Sequence, residues 1–235
     1  MTFDFFQKFQ PIITNTKGYP IMATGETRTI DSDLTLASKY EMTKYDDILN
    51  IIGATVTLAK PAGDLFTNEG NDTVSQALRG MLAGHLPTYR IAPHPLNITG
   101  KAEGIIVGGN MSVFNDLAGS DFDPLFIDGI VLFIEDTGEG MSKVDRMLHN
   151  IEIRGLQKHI RAVIVGQFNK YKHPENGFDD MYALLNEYLQ HWHIPVCYNF
   201  PVGHAHLKNF PLLTGAKATL EVTPDEVVLH YNNSH

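Results

Sequence analysis

From about residue 100 onward the hydrophobic pattern sharpens into short aliphatic runs, three of which close on glycine or an acid, with amphipathic stretches between them. The runs are Gly104-Ile105-Ile106-Val107-Gly108-Gly109, Gly129-Ile130-Val131-Leu132-Phe133-Ile134, Ala162-Val163-Ile164-Val165-Gly166 and Ile194 to Tyr198. Between them, Ser142 to Arg154 places Val144, Met147, Leu148 and Ile151 on one helix face, and Asp179 to His191 reads as a second amphipathic helix. A strand that is apolar at successive positions must be covered on both faces. Strands alternating with helices achieve this in layered sheets, so the pattern predicts an α/β domain. Ala218 to Leu220 and Val227 to His230 predict a closing hairpin.

Upstream the text is irregular. Gly18-Tyr19-Pro20, Thr24-Gly25 and Thr27 to Asp33 read as turns rather than periodic elements. Thr55 to Ala59 predicts a strand stopped by Lys60-Pro61. Asn71-Asp72-Thr73 predicts a helix start, with helical spacing from Val74 to Leu86. Pro87 and Ala92-Pro93-His94-Pro95 read as a linker, which divides the chain into an N-terminal segment, 1–97, and a C-terminal domain, 98–235.

Composition excludes several functions. Acids outnumber bases 27 to 18, a formal charge of −9, and no Lys/Arg cluster interrupts the excess. Electrostatic capture of nucleic acid or of an anionic membrane is therefore not expected. Cys197 is the single cysteine, so no internal disulfide or CxxC zinc site can form, and inside an apolar strand it reads as a core residue. Residues Met1 to Thr14 lack the basic start and long apolar run of a secretory signal. No stretch reaches the ~20 apolar residues that span a bilayer, so the cytoplasm is the expected compartment.

Chemistry is expected where buried strands end, because open α/β sheets bind ligands there. Three places qualify: Gly108-Gly109-Asn110, Glu135-Asp136 and Gly203-His204. Each has a plain alternative. The glycine pair can be a tight turn, the acidic pair a helix cap, and the histidine a surface imidazole.

Taken in order, GIIVGGNMSVFNDLAGS, GIVLFIEDTGE with KVDRMLHNI, AVIVGQF and IPVCYNFPVGHAH resemble the C-terminal half of the LD-carboxypeptidase family, over roughly Gly100 to Tyr231. That family includes muramoyl-tetrapeptide carboxypeptidases and microcin C immunity hydrolases. The resemblance implies a Ser-Glu-His relay that cuts an amide beside a free carboxylate, with Glu135 as the acid and His204 as the base. It also implies substrate contacts from Gly108, Gly109 and Asn110. The chemistry needs these types: an imidazole takes the serine proton, and a carboxylate fixes its tautomer and stabilises the imidazolium. Asp136 and Glu139 are rival acids, with Asp136 expected to brace the turn; His206 is the rival base. Asp145-Arg146 matches an acidic-Arg pair of the family, and Arg146 is expected to be structural.

The family's nucleophile stands in a Gly-aromatic-Ser-Asp turn of an N-terminal domain. None of Ser32, Ser38, Ser75, Ser112, Ser120, Ser142 and Ser234 has that context. The nearest echo, Lys44-Tyr45-Asp46-Asp47-Ile48, puts Asp46 in the serine's place, and Ile12 to Tyr19 is at most a relic of a Gly-rich segment. Residues 1–97 are thus expected to be a shortened remnant of the nucleophile domain, and Ser112 is the serine to test first. The expected partner is a peptide or muropeptide with a free carboxylate, with a homodimer as a further expectation and no cofactor called for. A non-catalytic relative that binds the same ligands is the competing reading. A metal hydrolase using Glu135, Asp136, His204 and His206 lacks HExxH spacing.

Overall fold

The computed structural model of the chain describes residues 18–23, 26–31, 73–82, 85–120, 123–173, 177–204 and 209–232. The expected strand at Thr55 to Ala59, the Lys44 to Ile48 segment and the rival base His206 lie outside these residues.

The first elements are β1 (Gly18–Ala23) and β2 (Glu26–Asp31), an antiparallel pair with Gly18 opposite Asp31 and Ala23 opposite Glu26. This corrects the reading of Gly18-Tyr19-Pro20 and of Thr27 to Asp31 as turns; Thr24-Gly25 and residues 32–33 lie outside the described residues. Thr27, Thr29 and Ile30 favour extended backbone, and Pro20 within β1 hid the strand by its usual depletion from sheets. Helix α1 (Thr73–Leu82) lies within the predicted stretch, and His85 and Leu86 at its expected end are not helical.

The remaining strands are β3 (Thr88–Ile91), β4 (Gly100–Asn110), β5 (Ile130–Thr137), β6 (Ile160–Asn169), β7 (Val196–Cys197), β8 (Lys217–Val222) and β9 (Val227–Tyr231). They form one seven-stranded sheet in the order β3-β9-β8-β4-β5-β6-β7. From β4 to β7 neighbours run parallel; β8, β9 and β3 continue the other edge antiparallel. The edge strand β3 comes from the segment upstream of residue 98, so the sheet draws on both sides of the expected boundary. Among the described residues no helix is long and apolar enough to cross a membrane.

Helices α2 (Met111–Asn115), α3 (Met141–Ile153) and α4 (Met181–Leu189) lie between the parallel strands in sequence. They cover one sheet face: Met111, Val144, Leu148, Met181 and Leu185 share a core with Ile130, Leu132 and Ile134. Successive strand residues point to opposite faces, so Val131 and Phe133 enter a second core with Phe200, Val202 and Leu212. Taking the Phe133 side chain out of water alone contributes about 1.5–3 kcal/mol. This alternation decides what each acid at the end of β5 can do.

Candidate active site

Glu135 and Asp136 are both inside β5, at its carboxyl end, and are 1% and 2% exposed. Adjacent on one strand, they face opposite sides of the sheet. Asp136 belongs to the helical side. Its Oδ1 accepts from Asn110 Nδ2 at 3.0 Å and from its neighbour Thr137 N at 2.7 Å, and its Oδ2 accepts from Ser112 N at 2.9 Å. These bonds brace the start of α2. Glu139 is taken up at the surface by Lys143, 2.7 Å away.

Glu135 faces the other side. In the register between β5 and β6, Ile134 pairs with Val165 and Asp136 with Phe168, so Glu135 alone opposes Gly166 and Gln167. Such a bulge bends the ladder and re-aims the side chain beside it. Gly166 makes the crowding there possible, since a Cβ on it would lie 2.6 Å from Val202 O and 3.0 Å from Glu135 Cβ.

The segment after β7 then folds back over this bulge. Phe200 N donates to Val165 O at 2.9 Å, and Gln167 N donates to Val202 O at 2.9 Å. Gly203 has φ +131, a left-handed value, and a Cβ there would lie 3.0 Å from Glu135 Oε2. The turn delivers His204, whose Nδ1 lies 2.8 Å from Glu135 Oε2. The two residues are 69 positions apart in sequence. A carboxylate only accepts, so Nδ1–H donates to it and Nε2 becomes the basic nitrogen. The imidazole is 29% exposed above a carboxylate 1% exposed, an arrangement in which the base reaches solvent and the acid does not. Glu135 Oε1 is buried and has no hydrogen-bond partner among the described residues. An unsatisfied buried oxygen costs about 1–3 kcal/mol, and such exceptions concentrate where chemistry requires them.

The glycine pair lies in β4 itself rather than in a turn after it. Gly109 and Asn110 stand opposite Ile134 and Glu135 on the neighbouring strand. Gly108 has φ +142, and a Cβ there would sit 1.8 Å from Phe133 O, so the backbones touch only because the side chain is missing. Gly109 has nothing within 4 Å of its Cβ position. Asn110 serves the local structure, where its Oδ1 accepts from Val113 N at 3.2 Å and from Ser112 Oγ at 2.8 Å, capping α2. Ser112 is thereby engaged beside Asp136, on the side of the sheet away from Glu135. Arg146 is exposed on α3, while its neighbour Asp145 accepts from Tyr188 OH at 2.5 Å and ties α3 to α4. Cys197 is buried, and burial pushes its thiol up to about 12, which fits a core residue.

Two contributors escaped the sequence reading. Asn209, 2% exposed, accepts the Gly203 N–H at 2.8 Å. Tyr182 on α4 donates its hydroxyl to Gly166 O at 3.1 Å, holding the bulge from outside. Neither carries a sequence signal, because each acts on a backbone group.

Comparison with known proteins identifies one family. The family model for the LD-carboxypeptidase C-terminal domain matches residues 103–220, half of the chain. The microcin C7 self-immunity protein of Escherichia coli is 28% identical over 116 residues, 49% of this chain and 32% of that protein. A Synechocystis protein bearing a carboxypeptidase name is 31% identical over 144 residues, 60% of this chain and 47% of that protein. The chain therefore spans less than half the length of these relatives. Among solved structures, muramoyltetrapeptide carboxypeptidase from Oxalobacter formigenes superposes with a TM-score of 0.62 at 25% identity, covering 69% of this chain and 55% of that one.

Proposed function

This chain belongs to the LD-carboxypeptidase family through that family's C-terminal domain, and on that premise we propose that Glu135 and His204 are the acid and base of a Ser-Glu-His amide hydrolase. The observation that carries the reading is the 2.8 Å contact between His204 Nδ1 and the buried Glu135 Oε2. With Nδ1–H held by the carboxylate, Nε2 takes the proton of a serine hydroxyl as the oxygen attacks the scissile carbonyl. The imidazolium so formed is stabilised by Glu135 and returns the proton to the leaving amine. The open backbone at Gly109 faces a substrate, with Gly108 setting how close β4 comes to β5. Asn110 contributes by holding α2 in place. The substrate class is a peptide with a free carboxylate, and a muropeptide tetrapeptide losing its terminal D-residue fits the name of the solved relative.

The family's serine context is what the sequence does not show. None of the chain's serines stands in a Gly-aromatic-Ser-Asp turn, and the hydroxyl of Ser112 is engaged with Asn110 on the other side of the sheet. This favours a second form of the same reading, in which the chain binds such ligands without turning them over alone. The test is release of a terminal D-amino acid from a muropeptide tetrapeptide by the purified chain, followed by mass spectrometry. The expected rate is at or near background and unchanged by His204→Ala. Robust release abolished by His204→Ala would show that the chain holds its own nucleophile and would end the second form.

A further inference from the structure

His204 is delivered by a turn that has few constraints of its own. Gly203 lacks a side chain and has a left-handed φ, so its backbone must be held by something else. The chain supplies two straps from the segment just beyond the histidine. Phe210 N donates to Pro201 O at 2.8 Å, and Asn209 Oδ1 accepts from Gly203 N at 2.8 Å. The straps are anchored. Phe210 packs on the Tyr89 ring with centroids 5.0 Å apart, Tyr89 OH donates to Pro211 O at 2.6 Å, and Leu212 is fully buried. A line of contacts therefore runs from edge strand β3 through residues 209–212 to the peptide that precedes His204.

Asn209 is a costly residue to keep in this place. It is 2% exposed, and its Nδ2 has no hydrogen-bond partner among the described residues. An apolar side chain of similar size would avoid that loss but would orphan the Gly203 N–H. We propose that Asn209 is a positioning residue of the relay: its amide oxygen fixes the Gly203 peptide and so sets the angle at which the His204 ring meets Glu135. The proposal rests on the reading of Glu135 and His204 as an acid–base pair.

The experiment is ¹⁵N and ¹H NMR of the His204 ring in the full chain at neutral pH, with unfolding curves on each variant. In the parent the ring should be almost wholly the Nδ1–H tautomer, with a slowly exchanging Nδ1–H signal. Asn209→Ala should shift the ring towards the Nε2–H tautomer and speed Nδ1–H exchange about tenfold, as expected for loss of one supporting hydrogen bond, while unfolding stays cooperative. Asn209→Asp, which keeps an acceptor oxygen, should recover the parent tautomer. If Asn209→Ala does not fold, Asn209→Ser, whose oxygen is too short to reach the Gly203 amide in the same way, is read identically. A parent-like tautomer and exchange rate in the Ala or Ser variant would overturn the proposal. Glu135→Gln separates the two levels. If it leaves the parent signal unchanged, the acid–base pair itself is wrong; if it abolishes the signal while Asn209→Ala does not, only the role of Asn209 fails.

Discussion

Where the strands run parallel, from β4 to β7, acids at the strand ends are buried, whereas the antiparallel edge keeps its charges in solvent. Glu135 and Asp136 lie in the interior at the end of β5. By contrast Arg90 of β3 pairs with Glu226 just ahead of β9, and Lys101 with Glu221 across β4 and β8, with every one of these side chains at least 40% exposed. Exposed pairs contribute little to stability and tolerate loss. Buried polar groups are expensive unless each is matched. In the parallel half Asp136 is matched by Asn110, Ser112 and Thr137, and Glu135 by His204 on the opposite face. The antiparallel half gives the site no acid or base, yet its Tyr89 anchors the strap that fastens Gly203.

The contrast can be broken by substitution. Gly108→Ala should have the largest effect on stability. Its Cβ would meet Phe133 O at 1.8 Å in a backbone with φ +142. Overpacking and a strained φ together should cost about 4 kcal/mol, read by chemical denaturation. A loss below about 1 kcal/mol would mean that β4 and β5 can separate locally without harm.

A second trial sets a buried ion pair against an exposed one. Asp123 is buried and meets Arg154 at the end of α3, beneath the Phe126 ring. Burial opposes the charge on Asp123, but the Arg154 guanidinium and the Gly119 and Leu125 amides outweigh it and hold the carboxyl below its usual range. A carboxyl depressed in the folded state stabilises fully above the unfolded pKa, and that contribution fades as pH falls through the folded value. Asp123→Asn should therefore cost about 3 kcal/mol at neutral pH, and the gap to the parent should narrow only below about pH 4. Arg90→Ala, at the exposed pair, should cost under about 1 kcal/mol. Equal losses from the two substitutions would erase the distinction between the halves.

Much of the parallel half was legible in the chain, for a physical reason. Gly129 to Ile134 and Ala162 to Gly166 are apolar at successive positions because helices or loops cover both faces, and that leaves a plain trace. Ile194 to Tyr198 reads just as clearly, yet only Val196 and Cys197 pair, since the Tyr198 amide donates instead to Asn97 Oδ1. Strand β3, four residues between Pro87 and Pro93, was lost in what resembles a linker. Glu135 and His204 stood out only through the order of the motifs: Glu135 lies inside β5, whereas His204 lies in a turn well beyond β7. Asn209 did not, because its partner is a backbone N–H six residues upstream and outside any periodic element. The bulge opposite Glu135 was equally hidden, since register between β5 and β6 depends on contacts across thirty residues.

The central proposal is that Glu135 and His204 form a working acid–base pair, to which the serine of a complete relative can be added. Its most direct test mixes the full chain with the separately purified N-terminal, serine-bearing domain of a complete relative and measures the rate of D-amino acid release from a muropeptide tetrapeptide. The account predicts release above that of either partner alone, lost with His204→Ala and reduced about 10⁴-fold with Glu135→Gln, the scale expected when the acid of such a relay becomes its amide. No release from the mixture, or release that the His204→Ala chain supports as well as the parent, would contradict it.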